Sequence, residues 1–482
     1  MTRWVEVRRG AYHDSVTLMR VSRQVGDIPG VAGAMAAMAT GLNLELLARM
    51  GFEVPAGAGP ADLVVAIRAE GEAALDGARD TLDELLRSSR AQGGGAAAPG
   101  EAPPRTTGAA ARRRPEAGIA LVSVPGPHVF PEAMDALAAG LNVMVFSDNV
   151  PLEQEIALKD AAARRGLIVM GPDCGTAVIG GAGLGFANAV RPGPVSLVAA
   201  SGTGAQQVMC LLDAAGVGVG HALGVGGRDL SVEVSGRSAL AALAALDADP
   251  GTELIVLVSK PPAPKVADLV REAARRLDTP VVFAFPGTED DLTRATERVL
   301  KRLGRAVPPW PRRPASRPAP ARVAGGLRGL FSGGTLRDEA AAIATAALGR
   351  DPATRGHRLI DFGDDAYTRG RAHPMIDPAL RLEAIAEHAA DPACGVLLLD
   401  VVLGHGADPD PAAALAPAIA AALAGRADLA VAVSLCGTPA DPQDRDAQAA
   451  ALHAAGAAVF ASNAEAARYA IGLCERTEGA DD

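Results

Sequence analysis

Residues 195–215 read VSLVAASGTGAQQVMCLLDAA, a strand, a turn and a helix in one unbroken stretch. Val195–Ala200 is a short continuous apolar run, the pattern of a strand covered on both faces in a parallel sheet. Ser201-Gly202-Thr203-Gly204 supplies the small and hydroxyl residues of a helix start, and Ala205–Ala215 continues as helix. Leu327–Phe331, Ser332-Gly333-Gly334-Thr335 and a helix beginning near Leu336 repeat the arrangement. The two stretches read as equivalent parts of duplicated units.

Outward from these stretches the alternation continues. Upstream, strands are expected at Ile119–Val124, Leu141–Phe146 and Leu167–Met170, with helices at Pro131–Ala139 and Leu152–Arg165. Beyond Ala215, strands follow near His221–Val225, Leu254–Val258 and Val281–Phe285. The last region adds His357–Asp361, Val396–Asp400, Leu429–Leu435 and Ala457–Phe460. Short apolar strands joined by helices specify α/β architecture. The expectation is three Rossmann-like or flavodoxin-like parallel-sheet units after a small N-terminal α+β domain. That first domain has strands near Trp4–Arg8, Val31–Met38 and Leu63–Ile67, and helices at Ser15–Gln24, Asn43–Met50 and Gly71–Leu86. Two segments read as linkers: 91–116, rich in Gly, Ala and Pro, and the Pro/Arg stretch 308–322.

Composition bounds the function. With 482 residues and 49% hydrophobic content the chain has material for several cores. Its net charge of −10 and 3% aromatics speak against a nucleic-acid surface. No apolar run is long enough for a membrane span. The start carries no signal-peptide pattern, and five scattered cysteines without C-x-x-C spacing suit a reducing cytoplasm. None of the four lysines sits in a P-loop motif, which excludes that class of NTPase.

Ligands of open parallel sheets bind beyond the carboxyl ends of the strands, so the loops there carry the chemistry. Ser201, Gly202, Thr203 and Gly204, and Ser332, Gly333, Gly334 and Thr335, present glycines and hydroxyls at helix N-termini, where amides and the helix dipole favour an anion. Ordinary capped turns have the same composition. Gly227 and Arg228 end another strand; the arginine suits either a ligand carboxylate or an ion pair. Cys174 follows a strand without a neighbouring histidine, which fits buried filler better than a nucleophile. In the last region Arg369, Arg371, His373 and His405 lie after or between strands, and the two histidines are the candidates for proton transfer. The residue spacings point to no metal site. Gly180–Gly185 (GGAGLG) opens no clear helix and is no dinucleotide fingerprint.

The order of loops Val150-Pro151-Leu152-Glu153, Met170-Gly171-Pro172-Asp173-Cys174, Ser201–Gly204 and Gly224-Val225-Gly226-Gly227 resembles the α subunit of succinyl-CoA synthetase. Leu397–Asp408 and Ser434–Ser462 resemble the CoA-ligase part of its β subunit. The whole chain, with Tyr12-His13-Asp14-Ser15 and Gly41-Leu42-Asn43 near its start, resembles the FdrA family. The resemblance implies an accessory domain at 1–90 and a flexible linker at 91–116. A CoA-binding-like Rossmann domain then covers 117–192 and a flavodoxin-type domain 193–307. The Pro/Arg linker 308–322 leads to a second CoA-ligase-like domain at 323–475. Two departures stand out. Phe283–Thr288 occupies the place of the synthetase's phosphohistidine segment, and no histidine occurs between His221 and His357. The chain also has no room for an ATP-grasp domain.

The FdrA resemblance further implies a subunit of a carbamoyltransferase, of the oxamate kind in purine and allantoin catabolism. It would work with two other subunits in an oligomer on phosphate or carbamoyl phosphate and a ureido acid. Ser201–Gly204 and Ser332–Thr335 would clamp the phosphate, and Arg228, Arg369 or Arg371 would hold the substrate carboxylate. No cofactor is firmly implied. The alternatives are a CoA-dependent acyl-CoA ligase or transferase without its own ATP-grasp domain, in which Pro125–His128 and Ser147–Val150 face CoA, and a non-catalytic architectural subunit.

Overall fold

The central apolar runs of the sequence become strands that are buried at every position, as at Val195–Ala199, Leu254–Val258 and Cys394–Val402. The computed structural model describes all residues except 12, 14, 60, 94–103, 288–289, 318–322, 324, 350, 369–371 and 476–482. Two compact units result, Met1–Arg105 with Asp365–His373, and Thr106–Asp364 with Pro374–Asp482.

The first unit begins β1 (Thr2–Arg8), α1 (Ser15–Gly26), β2 (Val31–Met38), α2 (Gly41–Arg49), β3 (Leu63–Ala69) and α3 (Glu72–Gly93). Its sheet has the order β1-β3-β2, antiparallel throughout. Central β3 alternates: Leu63, Val65, Ile67 and Ala69 pack with Leu18, Val21, Leu75 and Leu82 of α1 and α3. Val64 and Ala66 pack on the other face with Leu47 and Phe52. A strand apolar at every position but Arg68 is thus satisfied in an antiparallel sheet.

The second unit opens with α4 (Thr107–Arg113), β4 (Ile119–Val122), α5 (Val129–Ala138), β5 (Asn142–Val145), α6 (Leu152–Ala163) and β6 (Val169–Met170), which form a three-stranded parallel sheet β4-β5-β6. Next come β7 (Thr176–Ile179), β8 (Ala182–Gly185), β9 (Val195–Ala199), α7 (Gly202–Ala214), β10 (Val219–Gly224), α8 (Arg237–Asp247), β11 (Leu254–Val258), α9 (Pro264–Ala274), β12 (Val281–Ala284) and α10 (Leu292–Arg302). Their sheet runs β12-β11-β9-β10-β7-β8, with four parallel strands and an antiparallel hairpin at one edge. The rest comprises β13 (Arg312–Arg313), β14 (Gly326–Phe331), α11 (Gly334–Leu348), β15 (Arg358–Asp361), α12 (Asp365–Thr368, grouped with the first unit), α13 (Ala379–Ala390), β16 (Cys394–Val402), α14 (Pro411–Ala424), β17 (Ala430–Cys436), α15 (Arg445–Ala454), β18 (Ala458–Phe460) and α16 (Asn463–Glu475). The third sheet is β13-β18-β17-β16-β14-β15, parallel but for β13.

One core runs through both six-stranded sheets. It joins Leu197 and Val256 of the second sheet to Leu398 and Ala432 of the third, through Val208, Leu211, Val299, Leu336, Ala340, Ala467 and Ile471 on α7, α10, α11 and α16. These four helices form a shared layer, and the alanines of α11 and α16 let them approach closely.

Three segments differ from the sequence reading. Residues 107–113 of the expected tether form α4, because Thr106 caps it by accepting from Ala109 N at 3.1 Å and Gly108 N donates to Asp135 at 2.6 Å. GGAGLG is the turn and second strand of the β7–β8 hairpin. Gly180 and Gly181 both have positive φ, 56° and 84°, as a two-residue hairpin loop of this hand demands. Arg312–Arg313, inside the Pro/Arg segment, pairs with Phe460 and Val459 as an edge strand. Among the described residues no helix is long and apolar enough to cross a membrane.

Candidate functional site

The helices α7 and α11 begin where their parent strands β9 and β14 end, and their first turns meet. Ser201 Oγ accepts from Gly204 N at 3.0 Å, capping α7, and donates to Thr335 Oγ1 at 2.6 Å. A Cβ on Gly333 would lie 2.8 Å from Thr203 Oγ1, and one on Gly204 would lie 2.6 Å from Ser201 Oγ. The loops are glycine-rich because they touch one another. The sequence-expected residues Ser201–Gly204 and Ser332–Thr335 are therefore brought together, at the junction of the two large sheets.

Half of the second loop is already occupied by the protein. Asp400, in β16 and fully buried, accepts from Ser332 N (2.8 Å), Ser332 Oγ (3.0 Å) and Gly333 N (2.8 Å). Buried Arg381 balances the charge, its Nη2 3.0 Å from Asp400 Oδ1. Ser332 and Gly333 thus bind an internal carboxylate where the sequence suggested a ligand, and the expectation narrows to Gly334 and Thr335. Gly334 is only partly buried.

Two charged residues flank Gly334: Asp361, legible in the sequence as a strand-end acid, and Lys260, which the sequence does not single out. A Cβ there would stand 2.9 Å from Lys260 Nζ and would also collide with Asp361 Oδ2. Lys260 follows β11; Asp361 ends β15, and its Oδ1 accepts from Gly363 N at 2.9 Å. Burial raises the Asp361 carboxyl above its usual range, and the backbone hydrogen bond and Lys260 oppose that rise. One turn beyond Thr335 on α11, fully buried Glu339 accepts from Leu292 N at 2.6 Å and from Asn463 Nδ2 at 2.7 Å. Desolvation pushes its carboxyl up to about 7. Asp361 and Asp400 each close an apolar run with an acid (LID, LLLD), a signal visible in the sequence at strand ends.

A second set of loops lies at the carboxyl edge of β4-β5-β6. Ser147 Oγ donates to Val124 O, Asp173 N donates to Ser147 O at 2.9 Å, and a Cβ on Gly126 would collide with the Asp148 and Asn149 carbonyls. Arg228 belongs here. It donates to Val150 O at 2.8 Å and pairs with Glu155 at 2.9 Å. Gly227 faces Asp173. Behind them Lys159, 1% exposed, contacts Glu155 (2.8 Å), Asp229 (2.7 Å) and Val225 O (3.0 Å), and Asp229 also accepts from the first amides of α8. The structure thus gives Arg228 an ion pair in place of a ligand carboxylate.

The remaining candidates fall elsewhere. His405 is exposed on the loop after β16, its N–H donating to Ala187 O at 2.8 Å. His373 falls in the first unit, and Arg369 and Arg371 lie outside the described residues. Cys174 is buried, which pushes its thiol up to about 12 and removes it as a nucleophile.

YahF of Escherichia coli (strain K12) is 38% identical to this chain over 95% of its length and 96% of YahF. The chain belongs to the FdrA-like family of YahF. In this chain a family model described as CoA-ligase matches residues 330–473, and one described as AllF, heavy metal-associated domain, matches residues 1–102. The succinate–CoA ligase [ADP-forming] subunit alpha 2 of Archaeoglobus fulgidus is 27% identical over 36% of this chain and 61% of that subunit, so the chain spans about three fifths of it. The solved ATP citrate lyase of Methanothrix soehngenii aligns with a TM-score of 0.32 at 18% identity, over 42% of this chain and 38% of that one. These matches overturn the carbamoyltransferase reading and its purine and allantoin setting: what the YahF-family chain resembles is CoA-ligase, together with the α subunit of succinate–CoA ligase. The heavy-metal description does not fit the residues. Residues 1–102 contain no cysteine, the ligand that soft metals seek, and among the described residues no group of three His, Cys, Asp or Glu is placed to hold a metal.

Proposed function

We propose that this protein transfers an acyl group to or from CoA, with an oxyanion held at the junction of α7 and α11. The observation that carries this reading is the meeting of two glycine-opened helix starts, Ser201 to Thr335, beside Lys260. Helix N-termini and an ammonium favour an anion, and fixed donors stabilise one that develops during acyl transfer. The CoA-ligase resemblance supplies the thiol partner, and the loops Pro125–His128 and Ser147–Val150 at the carboxyl edge of β4-β5-β6 are the proposed CoA contact. Five buried cysteines outside any disulfide suit a cytoplasmic setting.

Calorimetric titration of CoA into the full chain tests this. Binding with Kd at or below about 1 mM, roughly −4 kcal/mol, is expected. Gly126→Val, which forces apart the loops after β4 and β5, should weaken it by at least about tenfold, ~1.4 kcal/mol. Absence of CoA binding by the wild type would sink the reading. The occupation of Ser332 and Gly333 by Asp400 favours one competing view, that the second loop is architectural. On that view Ser201→Ala and Thr335→Ala leave acyl transfer intact, whereas the transferase reading expects large losses.

A further inference from the structure

Only four of the 46 Lys and Arg residues are lysines. Lys159 is locked in the buried ion network, and Lys265 and Lys301 are exposed on α9 and α10. Lys260 differs. It follows a strand of one large sheet, while Asp361 ends a strand of the other, and both reach the same point beside Gly334. The two opposite charges face that point without closing into an ion pair with each other. The carboxylate nearest Lys260 Nζ is Asp338 at 3.6 Å, half-screened at the surface and itself paired with Arg337 at 2.9 Å. Asp361 is held on one oxygen by Gly363 N, and Lys260, Asp400 and Arg337 are the charges that bear on it. Asp400 is neutralised by Arg381 and two amides. What remains is an ammonium and a partly buried carboxyl, both so close to Gly334 that any side chain there would collide with them.

We propose that Lys260 and Asp361 are the reacting pair of this junction: the ammonium binds the oxyanion of an acyl donor's leaving group, and the aspartic acid gives that oxygen its proton. The proposal rests on the CoA-dependent reading above. In the step, the CoA sulfur bonds to the acyl carbon as the bond from that carbon to the leaving oxygen breaks. The leaving oxygen takes the Asp361 proton, and the thiol proton restores the aspartic acid, so that no other reactant is consumed. An acyl phosphate is the donor class with such a leaving group. Burial of Asp361 favours its protonated form, which suits the role of donor. Lysine in a chain that otherwise uses arginine suits a compact charge whose ammonium can be repositioned as the anion departs.

Sulfate, whose charge is constant across the working pH range, is the probe, titrated into the full chain with CoA binding measured on the same samples. The wild type should bind sulfate, less tightly as rising pH ionises Asp361 and sets a negative charge against the anion. Lys260→Gln should weaken sulfate by at least about tenfold, with CoA affinity and the melting temperature unchanged. Asp361→Asn, which keeps a donor, should retain sulfate and lose the pH dependence. No sulfate binding by the wild type, or equal binding by Lys260→Gln, overturns the proposal. So does a full pH dependence in Asp361→Asn. Sulfate results as expected without CoA binding would remove the CoA reading and keep the pair as an anion-handling device. CoA binding without the sulfate effects would remove the pair alone.

Discussion

Replacing Asp400 by alanine should cost the protein on the order of 3–5 kcal/mol of stability, the range for breaking one side of a buried ion pair. Asp400 is 0% exposed and serves four groups at once: the amides of Ser332 and Gly333, the Ser332 hydroxyl and the Arg381 guanidinium. Its removal leaves Arg381, 3% exposed, with the Leu330 and Asp400 carbonyls as its hydrogen-bond acceptors among the described residues and the more distant Asp361 as a remaining opposite charge, and strands two buried amides. Urea denaturation should show the midpoint falling with little change in slope. Asp400→Leu combined with Arg381→Met should recover much of the loss, because the isolated charge disappears with its partner. A loss below about 1 kcal/mol in Asp400→Ala would mean that water reaches these groups and that the loop is not held from within.

The second large effect is a pH dependence set by Glu339. Its carboxyl rises from an ordinary value of 4.5 in the open chain to about 7 in the fold, so the folded state binds the proton more tightly. Stability from this group is fully present below pH 4.5 and is lost as pH rises toward 7, where the buried carboxyl must ionise. The swing is on the order of 3 kcal/mol. Other buried acids with raised values, Asp361, Asp441 and Glu465, act in the same direction, and lowered ones such as Asp249 and Asp391 oppose them. The informative quantity is therefore the difference between wild type and Glu339→Gln. That difference should change steadily between pH 4.5 and 7 and flatten beyond. A pH-independent difference would show that the donors Leu292 N and Asn463 Nδ2 fully offset the desolvation of the carboxylate.

Much of the fold was legible because its signals are local. Val195–Ala200 and Leu327–Phe331 needed no face to be assigned, since helices cover both sides of their sheets and every position but Ser196 and Arg328 is apolar or glycine. The glycines and hydroxyls after them marked the two loops that the structure brings into contact. Where local signals conflicted, the reading failed. Residues 107–113 look like linker by composition, and their helix depends on Asp135, 27 positions away from Gly108. GGAGLG opens no helix, as expected, and its glycine pair turns a tight hairpin that composition alone does not reveal.

The candidate site was half legible. Ser201 and Thr335 were chosen for the same reason, a hydroxyl at a helix start, but nothing in either segment announces that they hydrogen-bond across 134 residues. Asp361 is legible as an acid at a strand end, whereas Lys260, Asp400 and Glu339 are not legible as site residues, because a charged residue at the end of an apolar run, or inside an amphipathic helix, reads as exposed. By itself the sequence determined the alternation of strand and helix, the positions of the glycine-opened turns and the absence of cysteine from the first domain, all properties of neighbouring residues. Only the tertiary structure decided which amides Asp400 occupies, which way Arg228 is spent, and that Lys260 of one sheet and Asp361 of the other share the space at Gly334. The strength of a charge interaction depends on distance and on the exclusion of water, and both are set by how the two sheets pack around their shared helices.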